Sequence, residues 1–133
     1  MSTLVSDNTS RNFMSQRGTR ASRNVIGADG DSVAVIFARN SGAFGGRRGN
    51  FVSCVLQRVN AAPRYLLQFF QSDGTQIGSN ILVNGADLDT VASTLASDAN
   101  GRHFSMTVYN VANQATEDTG NGFANSTKMS GGA

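Results

Sequence analysis

Phe51-Val-Ser-Cys-Val-Leu-Gln-Arg-Val59, Asn60-Ala-Ala-Pro63, Arg64-Tyr-Leu-Leu-Gln-Phe-Phe-Gln71 and Ser72-Asp-Gly-Thr75 follow one another directly, and their order decides the fold class. Two apolar runs of strand length are joined by turn residues, which predicts an antiparallel pair. Asp73-Gly74 fits the positive φ values of a tight hairpin turn. It leads into a third strand, Gln76-Ile-Gly-Ser-Asn-Ile-Leu-Val83, ended by Asn84-Gly85.

Working outward, Ser32-Val-Ala-Val-Ile-Phe-Ala-Arg39 is nearly all apolar and follows the turn signal Gly27-Ala-Asp-Gly30, so it reads as a strand buried on both faces. The loop 40–50 holds four glycines, too many to sustain regular structure alone. After Gly101, Phe104, Met106 and Val108 alternate with His103, Ser105, Thr107 and Tyr109, which predicts a strand with one wet face. Between these β segments lies one helical pattern, 87–99, with Leu88, Val91, Ala92, Leu95, Ala96 and Ala99 at spacings of three and four. Asp87 is placed to cap it and Gly101 to stop it. The same stretch also admits a short strand at 91–96, because Val91 and its threonine neighbours favour extension.

The ends of the chain read differently. Residues 1–24 have only Met1, Leu4, Val5, Phe13, Met14 and Ala21 as apolar positions, without a period, and residues 113–133 carry a single aromatic, Phe123. Both read as extended arms around a core of residues 25–112. The expected architecture is mainly β: an antiparallel sandwich, or a sheet with one short helix packed on it, flanked by N- and C-terminal arms.

At 133 residues the chain is one domain long and needs no disulfide or metal staple. Charged residues are only 15%, with Ser, Thr, Asn and 15 Gly filling the gap. Charge is unevenly spread. Residues 11–64 hold nine arginines against two aspartates, a net of +7, whereas residues 65–133 carry a net of −4. Arginine grips carboxylates and phosphates with a planar fork, so this bias favours ordered contacts. Opposed charge within one chain is a simple way for identical subunits to recognise one another, and the basic part also has the makings of a phosphate-binding face.

Catalytic content is poor. The lone Cys54 reads as a small buried hydrophobe, and His103 lies in a different strand. One His and one Cys fall short of a zinc set, and neither Asp29 with Asp31 nor Asp87 with Asp89 has the spacing of a calcium loop. Gly45-Gly-Arg-Arg-Gly-Asn50 can cradle phosphate but lacks the Gly-Lys-Ser/Thr end of a nucleotide-hydrolysing loop. No enzyme, cofactor, metal or small-molecule substrate is expected. No apolar stretch near the N-terminus has the length of a leader or membrane span, so synthesis without a conventional leader is expected, with no membrane partner.

These features predict a structural subunit of a larger assembly, best fitted by a phage virion coat or capsid-decoration protein made in the host cytoplasm. Its partners would be copies of itself or another shell protein. Arg11, Arg17, Arg20 and Arg23 are the candidate arm contacts, Arg47 and Arg48 the loop contacts, and Phe123 the arm anchor. A nucleic-acid contact would join the same arginines to Phe13, Phe44, Tyr65 and Phe70 as stacking partners. The segment Leu67-Gln-Phe-Phe-Gln-Ser-Asp-Gly-Thr-Gln-Ile-Gly-Ser-Asn-Ile-Leu-Val-Asn84 resembles the hairpin repeated in some large bacterial extracellular β-repeat proteins. That resemblance implies an alternative: an adhesin or lectin-like binding module, extracellular by leaderless secretion, using the wet face of His103, Ser105, Thr107 and Tyr109.

Overall fold

A computed structural model of the chain describes residues 19–27, 30–58, 65–84, 87–109 and 121–133. The described residues form two antiparallel sheets facing each other across one core. Strands β1 (Ser22–Ile26) and β2 (Ser32–Ala38) belong to the first; β3 (Ser53–Arg58), β4 (Tyr65–Phe70) and β5 (Ile81–Val83) belong to the second. Helix α1 (Leu88–Ser97) follows. Then β6 (Phe104–Val108) completes the first sheet, in the order β1-β2-β6, and β7 (Thr127–Lys128) the second, in the order β5-β4-β3-β7. The expected mainly β architecture with one short helix is what the chain adopts.

The expected central pair forms with Cys54 opposite Phe69 and Leu56 opposite Leu67. All six residues of β4 are buried, because both of its faces are covered. Tyr65, Leu67 and Phe69 enter the shared core, while Phe70 packs edge-on against Phe123 at 5.9 Å. In the first sheet Ala34, Ile36 and Ala38 pair with Val108, Met106 and Phe104, so the alternation of β6 sends its apolar residues inward. Phe69 then stacks on Phe104 at 4.0 Å and Phe104 on Phe44 at 5.5 Å, an aromatic column that ties sheet to sheet.

Helix α1 is the form taken by 88–97. Asp87 accepts the Thr90 N–H and hydroxyl, each at 3.1 Å, capping the first turn. Leu88, Val91 and Leu95 fill the core against β6 and β5. The helix stops at Asp98, whose backbone is extended, before the proposed Gly101. Gly101 sits in the 3-10 turn Ala99–Arg102, where a Cβ would meet the Leu95 carbonyl at 2.6 Å.

Three boundaries differ from the pattern-based expectation. The strand expected over 76–83 is interrupted: Gln76 bridges Phe70 singly, Gly78 turns out of line at φ +71, and pairing resumes only at Ile81. Buried Asn100 explains the break, its Nδ2 donating to the Ile77 carbonyl at 2.9 Å where the Gly78 Cα leaves no room for a side chain. Strand β1 begins at Ser22, within the segment read as an arm. At the other end, residues 121–133 return to the domain. Strand β7 pairs with β3, the buried Met129 donates its N–H to Val52, and Ser130 then exchanges two hydrogen bonds with Ser22 of β1. Gly132 and Asn50 exchange two more, and the Ala133 N–H reaches the Thr19 carbonyl. The last seven residues thus stitch the edge of one sheet to the edge of the other.

Candidate functional site

The surface features divide between the ends of the sandwich and the outer face of the three-stranded sheet. Successive residues of a strand point to opposite faces, so the inward Ala34, Ile36 and Ala38 leave Val35 and Phe37 outward. Their register neighbours complete two rows across the sheet: Ser22, Phe37 and Ser105, then Asn24, Val35 and Thr107. Arg20 lies one step beyond, exposed, with its guanidinium carbon 4.3 Å from the centre of the Phe37 ring. Tyr109, 63% exposed, ends the opposite corner, its N–H bonded to the Val33 carbonyl. Thr19, Arg20, Phe37, Thr107 and Tyr109 line an open groove of about 480 Å³.

One end of the molecule gathers arginines from distant parts of the chain. The 3-10 turn Gly46–Phe51, carrying exposed Arg47 and Arg48, is pressed against the end of β1 and β2: a Cβ on Gly49 would meet the Ala21 Cβ at 2.6 Å and the Ala38 Cβ at 3.0 Å. Arg20 precedes Ala21 and Arg39 follows Ala38. Arg39 donates to the Gly101 carbonyl at 2.9 Å, beside exposed Arg102. Among the described residues none of these five guanidinium groups has a carboxylate partner. Among the described residues the acids at this end are Asp98, which caps the Asn100 N–H, and Asp73 in the hairpin turn after Phe70. The Asp73 carboxyl is held below its ordinary value by the backbone N–H of Thr75 first and its hydroxyl second. Asp31, ahead of β2, and Asp87 with Asp89, at the start of α1, stand at the opposite end.

Of the arginines singled out in the sequence, Arg11 and Arg17 lie outside the described residues. Arg20, Arg47 and Arg48 share the cationic end. Arg23 does not join them: it sits on the core-facing side of β1 and donates to the Cys54 carbonyl at 3.2 Å, with the Cys54 Sγ 3.9 Å away, bridging the two sheets internally. Cys54 itself is buried and outside any disulfide. Phe123 rests on its own chain, against Phe70 and over Gly74.

The aromatic residues first considered for stacking are used otherwise. Tyr65 and Phe70 are buried, Phe44 is in the aromatic column, and Phe13 lies outside the described residues. Phe37 and Tyr109 are the aromatic rings on the open face. The alternation of β6 signals Tyr109, but nothing local marks Phe37, whose strand reads as buried on both sides. On the proposed wet face His103 is half-buried, its Nδ1 accepting the Ala43 N–H at 3.1 Å, so the accessible part is Thr107 and Tyr109.

Among the described residues no three His, Cys, Asp or Glu side chains are grouped to hold a metal ion, and no helix is long and apolar enough to cross a membrane. Comparison with family models, curated proteins and solved structures finds no match to this chain.

Proposed function

We propose that the chain is a non-enzymatic structural subunit whose copies meet end to end in a larger assembly, as a phage coat or capsid-decoration protein in the virion. The observation that carries this reading is the electrical polarity of the folded domain. Arg47, Arg48 and Arg102 stand at one end, and Asp31, Asp87 and Asp89 outnumber Arg58, the last residue of β3, at the other, separated by about 15 Å along a ten-residue helix. A surface that complements a different surface of the same chain gives a heterologous contact, and repetition of that contact makes rings or filaments. Complementary charge sets the register of such a contact and accelerates encounter more than it adds affinity.

The test is co-assembly of two charge-reversed variants, followed by light scattering and negative-stain microscopy. Arg47→Glu with Arg48→Glu reverses the charge of the basic turn, and Asp31→Arg with Asp89→Arg reverses the acidic end. Each variant alone should fail to form the particles of the unsubstituted protein, and the two mixed should recover them. Raising salt to 1 M, where the screening length falls to roughly 3 Å, should weaken assembly. A 14.0 kDa monomer at all salt and protein concentrations would overturn the reading, as would variants that assemble unaided.

A further inference from the structure

We propose that the outer face of the three-stranded sheet binds single-stranded nucleic acid, with Tyr109 and the Arg20–Phe37 pair as its stacking and phosphate contacts. This does not rest on end-to-end assembly, since the described residues that line the groove all belong to one chain. Its chemistry is specific in what it combines. Tyr109 is the most exposed large hydrophobic side chain among the described residues. Phe37 is half-buried in the middle of the sheet and carries a guanidinium over its ring. Bases stack on aromatic rings and on arginine planes alike, so the pair offers one platform and Tyr109 another.

The spacing separates the platforms. Phe37 is opposite Ser105, and Tyr109 lies four residues farther along, about 13 Å at 3.3 Å per residue. Between them stand Ser105 and Thr107, with Ser22 on the far side of Phe37, hydroxyls of the kind that contact phosphate and sugar oxygens. The strand would run from Tyr109 toward Arg20 and Arg39, into the cationic end. Unpaired bases are required, because in a duplex they are stacked on one another and closed to a sheet face.

Charge decides against a second copy of this chain as the occupant. A two-fold contact pairs a face with itself. The two rows hold no carboxylate to meet Arg20, and Asp31, which precedes β2, lies beyond its far end. A polyanion with stackable rings complements this surface.

Fluorescence anisotropy of a fluorescein-labelled 15-nucleotide oligo(U) and oligo(dT), at 50 and 200 mM NaCl, tests the proposal. The protein should bind both strands more tightly than a 15-base-pair duplex, with affinity falling steeply as salt rises. Tyr109→Ala should weaken binding roughly 5- to 150-fold, the loss of one stacked base. Arg20→Ala should weaken it and reduce the salt slope by about one. Leu82→Ala, at an exposed position on the other sheet, should leave affinity unchanged. Circular dichroism melting should show each variant folded. No saturable binding at 50 mM NaCl overturns the proposal. So does a Tyr109→Ala variant that binds as before, or equal preference for duplex and heparin, which would mean a polyanion contact by arginine alone. Concentration-dependent self-association through Tyr109, seen by sedimentation, assigns the face to a second copy and overturns it too.

Discussion

Replacing Met129 by alanine tests whether the C-terminal segment belongs to the folding unit of its own chain. The Met129 side chain is 1% exposed, joins the core cluster, and lies where the chain crosses from β3 to β1. The substitution removes three heavy atoms and leaves a cavity that neighbours held in two sheets fill poorly. Transfer and cavity costs together put the loss at about 3 kcal/mol, within the 2–5 kcal/mol range for such truncations. For a domain of this size that lowers Tm by roughly 10–20 °C. Met129→Leu keeps the volume and should cost less than about 1.5 kcal/mol. Urea unfolding followed by circular dichroism at two protein concentrations tenfold apart measures both variants and separates intramolecular stability from assembly. A loss below about 1 kcal/mol at unchanged m-value would refute the reasoning, because the last residues would then contribute nothing to the isolated fold. A loss that grows with concentration would place their contacts between copies.

Two further predictions concern the hairpin after β4. Asn100→Ala leaves the Ile77 carbonyl without its buried donor and should cost about 1–3 kcal/mol in urea unfolding; a cost below about 0.5 kcal/mol would show that the bond does not position the break at Gly78. Asp73 should titrate below its ordinary value of 3.8 in a carboxyl-detected NMR experiment. Because the native state favours the ionised form, its stabilising contribution is full above the unfolded value and is lost as pH falls through the native one. Thr75→Ala should move the midpoint partway back while the backbone N–H bond remains, and an unmoved midpoint would rule out the hydroxyl contribution.

Much of the fold was legible because its signals are local. Alternation in 104–108, the apolar runs at 53–58 and 65–70, and the Asp87 cap each act within a few residues, so the chain announces them without reference to its other parts. The break at Gly78 was not legible, since it depends on Asn100, twenty-two residues away and buried by tertiary packing. The arginines show the same division. Their number and bias toward residues 11–64 stand in the sequence, but sorting them needs coordinates. Arg23 and Arg20, three residues apart, take opposite roles because strand alternation turns one toward the Cys54 carbonyl and the other over Phe37.

The sequence by itself determined a β-rich domain, few groups suited to catalysis and a charge imbalance along the chain, and it left 87–99 open between a capped helix and a short strand. Only the tertiary structure decided that the C-terminal residues close the gap between the sheets, and that Arg39, Arg47, Arg48 and Arg102 meet Arg20 at one end. The reason is the range of the forces. Turn chemistry and periodicity act over a few bonds, whereas edge pairing and charge clustering depend on which distant segments burial brings together.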